Sequence, residues 1–420
     1  MRSKPTGPNG PRTKYGFDSQ PITQSDLPVP FPRPIGPRAE ELLKEVVESG
    51  LTSDMVDRFE IAFARASGVK HCIATPGCTP ALSVLAATFD FEPGDEIIVS
   101  PISDFGTVQG LIAQNYIPVF ADVEPNTVNI TAETIKPYIG KRTRAILVVH
   151  MTGLICDMDP INELADKHGL IVYEDACQAV FGQYKGKYAG TMSTAGAFSF
   201  DSEKTMGSDV GGCILTDGDS LAEQARLVGQ SRGSQTVAHF GRVHTTNGFA
   251  HRMTQSTAAL TLAQLDIIGP QVAQRDRMIR LLYEMLDEIP GIAPIHIPEY
   301  VDTYSCWMAG FTIDPQQFSC DTETFGNRLA DGGIPGAGQA RYYLLQEALP
   351  FLKEKAISRI YPYSEPPASR SYKYEASSTP NAHSFLERFV RWSTFCEKYD
   401  ESHCELAANI VRRIADQNRR

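Results

Sequence analysis

No apolar run in this 420-residue chain is long enough to cross a bilayer, which takes about 18 or more residues. The start, Met1-Arg2-Ser3-Lys4-Pro5, lacks the apolar stretch of a signal peptide. The cytoplasm is the expected compartment, with no membrane partner. No lysine and arginine cluster offsets the net charge of −11, which argues against nucleic acid as a partner. It says little about a small substrate, because a cationic pocket can sit in an acidic protein. The nine cysteines form no C-x-x-C pair and no zinc-ligand spacing, so no metal is expected and the thiols read as reduced. No repeat with a period of about 20 to 50 residues occurs. No Gly-x-Gly-x-x-Gly turn follows a strand, which counts against a nicotinamide-dependent oxidoreductase on a doubly wound sheet.

What is present is the composition of an ordinary globular chain, 42% hydrophobic and 21% charged. Single cores stop growing near ~250–300 residues, so more than one domain is expected: an arm over 1–37, a large domain over 38–289 and a small one over 290–420. Residues 1–37 are rich in proline and glycine and read as an extended arm on the surface or across a partner. Leu42, Leu43, Val46 and Val47 then share a helical face, with Gly50 as the stop. Ser53 reads as the cap of a second helix that turns Met55, Val56, Phe59 and Phe63 inward. Strand and helix alternate from there. Residues 71–75 are a strand, 76–79 a turn, and Pro80 opens a helix. Further strands are read at 96–100, 118–120 and 145–149, with helices near 106–115, 132–138 and 157–168. The pattern implies an α/β fold with a mostly parallel central sheet, helices on both faces, and ligands at the carboxyl ends of the strands. Segment 231–253 is polar and reads as a functional loop. A long helix from Gln255 should kink or split at Gly269-Pro270. Beyond Pro290, a strand over 307–313, a helix over 322–331 and a last helix over 403–416 suggest a smaller α+β unit, with 355–382 as a loop excursion.

The chemistry concentrates in residues 173–212. One strand ends in Glu174-Asp175, and another ends just before Lys204, with Ser199 five residues ahead of it and Gly211-Gly212 after it. A lysine alone is usually solvated, and an aspartate alone here would read as a helix cap. Together with Gln178, and with Thr79 at a helix start whose free N–H groups and dipole suit a dianionic phosphate, they form a set with distinct roles. Pyridoxal phosphate needs an amine for a Schiff base, a carboxylate for its ring nitrogen, and donors for its phosphate. This stretch supplies all three. His150 and His251 read as strand-end or packing residues.

Several ordered motifs also resemble a known family. They are 93–101 (PGDEIIVSP), 118–123 (PVFADV), Val149-His150 with Gly153 and 157–159 (DMD), 174–179 (EDACQA), Phe198-Ser199-Phe200 with Lys204, Gly211-Gly212, and Arg252-Met253 leading into 263–265 (AQL). Together they resemble the DegT/DnrJ/StrS sugar aminotransferases of fold type I, closely over 38–290 and loosely beyond. The resemblance implies that Lys204 bonds to the cofactor aldehyde and later shuttles protons, that Asp175 pairs with the ring nitrogen, and that Gln178 faces the ring hydroxyl. It places Phe105 as a stacking ring, and Thr79, the backbone at Cys78 and Ser199 on the phosphate. A lysine acting as base must be neutral, which burial and a neighbouring cation can bring about. The chain departs from the family in Cys78-Thr79 for Gly-Thr, Lys204-Thr205 for Lys-Asn, and Asp104 beside Phe105. Ala250 also replaces an asparagine that a partner subunit sends to the phosphate, with Asn247 three residues earlier. The implied activity moves an amino group from glutamate or glutamine to a keto-sugar or keto-cyclitol, and the proline spacing at 28–34 resembles members acting on inosose-type ketones. A homodimer with shared active sites is expected, loop 231–253 reaching the neighbour. Sugar dehydratases of the same family carry histidine where Lys204 stands; an inactive, ligand-binding paralogue is the remaining alternative.

Overall fold

Short apolar segments bounded by turn residues and buried on both faces have one stable arrangement, a sheet covered by helices. In the computed structural model, which describes residues 26–230, 235–237, 241–339 and 342–420, the segments are β1 (His71–Thr75), β2 (Glu96–Val99), β3 (Ile117–Phe120), β4 (Thr143–Val149), β5 (Ile171–Asp175), β6 (Ala195–Ser199) and β7 (Gly212–Thr216). They form a 7-stranded sheet in the order β1-β7-β6-β5-β4-β2-β3. The neighbours from β6 to β3 pair parallel, while β7 runs antiparallel to both β1 and β6. This is the mixed, mostly parallel α/β sheet of fold type I.

The helices around it are α1 (Ala39–Glu48), α2 (Met55–Ser67), α3 (Cys78–Thr88), α4 (Gly106–Ala113), α5 (Met158–His168), α6 (Asp219–Gln230), α7 (Gln255–Leu265) and α8 (Ile268–Asp287). Three local expectations change. In α1, Leu42 and Val46 point inward one turn apart, while Val47 is 74% exposed. Asp54, not Ser53, precedes α2. Pro80 is the third residue of α3, still inside the first turn, where a missing N–H costs no helical bond. The split at Gly269-Pro270 occurs as expected: α7 ends at Leu265, and Pro270 falls in the first turn of α8.

A second, wholly antiparallel sheet is built from β8 (Ile292–Pro294), β9 (Ala309–Ile313), β10 (Ala337–Gln339) and β11 (Phe389–Trp392), in the order β8-β9-β11-β10. It is accompanied by α9 (Thr322–Asp331), α10 (Pro380–Arg388) and α11 (Glu401–Gln417). Asp400 caps α11 by accepting from the His403 N–H at 3.1 Å. Residues 355–382 are more firmly held than a loop excursion would be. Tyr363 and Tyr374 are buried there, and Arg370 forks onto the fully buried Glu96 at 2.9 and 2.6 Å.

Of the expected arm, residues 1–25 lie outside the described residues. The rest is tied to the body by Lys398 Nζ, which donates to the carbonyls of Val29, Pro30 and Pro32 at 3.0, 3.3 and 2.8 Å. In segment 231–253, residues 231–234 and 238–240 also lie outside the described residues; Gln235–Val237 and Gly241–Val243 pair antiparallel. Among the described residues, no helix is long and apolar enough to cross a membrane.

Candidate active site

Because β5 and β6 run parallel and in register, with Asp175 opposite Ala197, the residues that end them emerge at the same edge of the sheet. The antiparallel β7 starts at that edge. Its first residue, Gly212, presses against the turn before α3: a Cβ there would come within 2.4 Å of the Gly77 carbonyl carbon and 2.6 Å of the Phe198 oxygen. Only glycine permits that approach, and it brings the start of α3 over the ends of β5 and β6. The result is a cavity of about 480 Å³ lined by Cys78, Thr79, Asp175, Gln178, Ser199 and Lys204, and also by Asp104, Thr107, Cys177, Trp307 and Tyr342. A larger groove of about 720 Å³ lies beside α2 and α7. The charges there include Glu60 and Arg226, which pair with each other at 2.7 Å, and among the described residues no lysine lines the groove.

Asp175 is buried, and donors already fix its carboxylate. Thr107 Oγ1 donates to Oδ2 at 2.8 Å, and the Cys177 N–H donates to Oδ1 at 3.3 Å. Ser103 Oγ lies 2.6 Å from Thr107 Oγ1 and completes a short relay. Gln178 is held at both ends of its amide: Oε1 accepts from the Thr152 N–H at 2.6 Å, and Nε2 donates to the Tyr342 hydroxyl at 2.7 Å. Thr152 adopts a left-handed backbone, φ 60°, which aims its N–H at the glutamine.

Lys204 follows β6 in a tight turn, its N–H donating to the Asp201 carbonyl at 3.0 Å. Its amine lies 4.4 Å from the centre of the Trp307 ring and 3.8 Å from Cys177 Sγ. The Trp307 indole N–H in turn donates to the Glu203 carbonyl at 2.9 Å, so the ring is fastened to the lysine turn. Burial pushes the Lys204 amine down, but Cys177, Tyr342, Asp175 and Cys78 together outweigh it, and the net shift is upward. The groups around the cofactor-free amine thus favour its charged form, whereas burial beside a cation was expected to favour the neutral one. The Cys78 thiol is pushed well up by its hydrogen bond with Cys177, then by burial and by Asp175.

Thr79 and Ser199 face the same cavity. Thr79 sits where α3 and α4 converge, and a Cβ on Gly106 would lie 2.1 Å from its Oγ1. Ser199 Oγ accepts from the Asp201 N–H at 3.3 Å. Two residues are not brought in. Phe105 precedes α4 and is 39% exposed, and it does not line the cavity although Asp104 and Gly106 do. The ring that meets the lysine is Trp307, from the far end of the chain. Asn247 is exposed, its side-chain oxygen accepting from the Gly248 N–H at 3.0 Å, and it lies outside this cavity. His150 is a packing residue, as expected: fully buried, it meets Glu174 at 2.8 Å away from the cavity. His251 stacks on Phe249 at 4.7 Å.

Thr107, Trp307 and Tyr342 were not singled out from sequence. Thr107 is a second hydroxyl beside Phe105 and carries that faint signal; the other two arrive from distant segments and carry none. The cavity thus presents a half-buried amine, a carboxylate oriented by two donors, and a helix start whose first-turn N–H groups have no acceptor within the helix. That donor set fits pyridoxal phosphate at its aldehyde, ring nitrogen and phosphate.

The sequence profile of the DegT/DnrJ/EryC1/StrS aminotransferase family matches residues 35–389. The chain is 37% identical over 261 residues to a GDP-perosamine synthase of Caulobacter vibrioides, covering 61% of this chain and 69% of that one. It is 34% identical over 301 residues to a protein of Streptoalloteichus tenebrarius described as an L-glutamine:3-amino-2,3-dideoxy-scyllo-inosose aminotransferase, covering 69% and 72%. Among solved structures, 3-amino-5-hydroxybenzoic acid synthase superposes with a TM-score of 0.78 at 25% identity, over 91% of this chain and 98% of that one.

Proposed function

This chain belongs to the DegT/DnrJ/EryC1/StrS aminotransferase family of pyridoxal-phosphate-dependent enzymes, and from that premise we propose that it moves the amino group of glutamate or glutamine to the keto carbon of a sugar or cyclitol. The observation that carries the reading is the meeting of a half-buried Lys204 amine and a buried Asp175 carboxylate in one cavity roofed by the start of α3. Bound pyridoxal phosphate supplies an electron sink for the carbanion left when the donor loses its α-proton.

The protein's own groups do the rest. Asp175, oriented by Thr107 and the Cys177 N–H, would accept the N–H of the ring nitrogen. The α3 N-terminus at Cys78 and Thr79, with Ser199, takes the phosphate. Gln178, fixed between Thr152 and Tyr342, faces the ring hydroxyl. Lys204 would hold the cofactor aldehyde and its amine would move the donor's α-proton, with the Trp307 ring 4.4 Å from it. The keto acceptor is a cyclitol or a sugar, in line with the inosose named as acceptor for one relative and the perosamine named as product for the other.

The protein works as a homodimer in the cytoplasm, with segment 231–253 and Asn247 completing the neighbour's site. Val47, Leu51 and Ile61, all on or beside the first two helices and 71 to 74% exposed, support a buried interface there. Added pyridoxal phosphate should turn the protein yellow, and borohydride should fix the cofactor on the Lys204 peptide. Glutamate or glutamine should then bleach the unreduced protein, and the correct ketone should restore the colour. A colourless protein with no adduct at Lys204 would overturn the reading, and an active monomer in sedimentation would overturn the shared site.

A further inference from the structure

The same cavity holds two thiols that the proposed transfer does not use. Cys78 opens α3 and Cys177 follows Asp175 by two residues. Their Sγ atoms and a carboxylate oxygen of Asp175 all lie within 4.8 Å of one another. Cys78 Sγ donates toward Asp175 Oδ1 at 3.7 Å, and Cys177 Sγ lies 3.8 Å from the Lys204 amine. Both cysteines line the cavity and are partly accessible, whereas six of the other seven are buried. Cys72 and Cys213 also interact, but at 2% and 0% exposure in the sheet core no reagent reaches them.

We propose that Cys78 and Cys177 form a peroxide-oxidisable pair that closes to a disulfide in the cofactor-free cavity, and that disulfide and cofactor exclude each other. The exclusion rests on reading the cavity as the pyridoxal phosphate site; the pair does not. An S–S bond of about 2.0 Å requires the two sulfurs to close a gap of at most 4.8 Å. Cys177 sits in an irregular turn after β5, where side-chain rotation and a small backbone shift can provide this. The bridge would run from the first residue of α3 to the turn after Asp175. It would therefore cross the space in front of the carboxylate that a ring nitrogen must enter.

The chemistry balances with one hydrogen peroxide. Cys177 Sγ, 3.8 Å from the Lys204 amine, releases its proton and attacks a peroxide oxygen. The O–O bond breaks, hydroxide leaves and takes up a proton as water, and Cys177 becomes a sulfenic acid. The Cys78 sulfur then attacks the Cys177 sulfur and the S–O bond breaks. The Cys78 proton passes to the Asp175 carboxylate and on to the departing hydroxide, giving a second water. The two thiols lose two electrons and two protons in all, and the peroxide is reduced to two waters.

The test is peptide mapping of peroxide-treated protein after alkylation of the remaining thiols, with and without pyridoxal phosphate. Cofactor-free protein should yield a linked peptide pair containing residues 78 and 177, two hydrogens lighter than the reduced peptides. With the cofactor at about 100 times its Kd, about 1% of sites are open, and linkage should slow about 100-fold. Dithiothreitol should restore both thiols and cofactor uptake. Cys78→Ser and Cys177→Ser should each abolish the link, with near-ultraviolet circular dichroism reporting that the variants are folded. Oxidation of Cys177 to a sulfinic acid with no 78–177 link would overturn the pair. A link that forms equally fast with the cofactor present would overturn the exclusion. A link in protein that never takes up pyridoxal phosphate would uphold the pair and remove the cofactor reading.

Discussion

Replacing Thr107 with valine removes one hydroxyl and leaves the side-chain volume nearly unchanged. That hydroxyl donates to Asp175 Oδ2 at 2.8 Å, and both residues are 3% exposed, so solvent cannot take its place. A hydrogen bond to a buried charged group contributes about 1.5–3 kcal/mol, and about 1.4 kcal/mol is tenfold in rate. The Thr107→Val carboxylate should hold a protonated ring nitrogen less well by that amount. The rate at which glutamate bleaches the cofactor-loaded protein in a single turnover should therefore fall about 10- to 100-fold, and the lost bond should also lower the Tm. Ser103→Ala, which removes only the next hydroxyl along the relay at 2.6 Å, should cost much less, because Thr107 keeps its bond to Asp175. If Thr107→Val bleaches at the wild-type rate, Asp175 does not act on the ring through this oxygen, and the role assigned to the relay is wrong.

The upward shift of Lys204 makes cofactor capture sensitive to pH. Below its pKa the neutral fraction of the amine grows about tenfold per pH unit, so the rate of yellow adduct formation should climb steeply from pH 7 to 9, and a flat profile in stopped-flow absorbance would contradict a protonated resting lysine. Gly212→Ala places a methyl group within 2.4 Å of the Gly77 carbonyl carbon and should cost about 1–3 kcal/mol or more, seen as a lower Tm and faster loss of cofactor. Gly269→Ala, where nothing lies within 4 Å, should be neutral by both measures. Arg370→Met leaves Glu96 at 0% exposure with Tyr372, Ser369 and Thr143 as its side-chain donors among the described residues. Breaking a buried pair costs about 3–5 kcal/mol, and these donors, with an Arg370 side chain 33% exposed, place the loss near 2–3 kcal/mol in urea unfolding.

The architecture was legible where the physics is local. Alternating apolar runs and turns marked the sheet, and a proline without an N–H marked the break between α7 and α8. Lys204, Asp175, Gln178, Ser199 and Thr79 could be grouped from sequence because each stands at a strand end or a helix start, and a parallel sheet delivers such ends to one edge. What joins them from elsewhere in the chain could not be seen. Trp307 and Tyr342 come from segments whose local pattern only says strand or turn, and their approach depends on how the two sheets pack. The same holds for residues 355–382, where proline and serine suggested a loose excursion while the tyrosines and Arg370 were anchors for partners more than two hundred residues away. Phe105 was placed by the resemblance alone, and in the cofactor-free chain it precedes α4 and is 39% exposed.

The bond from Arg33 NH2 to the Lys204 carbonyl, at 2.6 Å, has a practical consequence for anyone handling this protein. The strand of prolines carrying Arg33 is itself gripped by Lys398, so the turn bearing the reactive amine is braced by chain from both extremities. A fragment cut to begin at residue 38, or to stop at 289, would keep every cavity residue of the large sheet and still lose that brace. Removing Arg33 is thus an intervention at the lysine, 171 positions away in sequence.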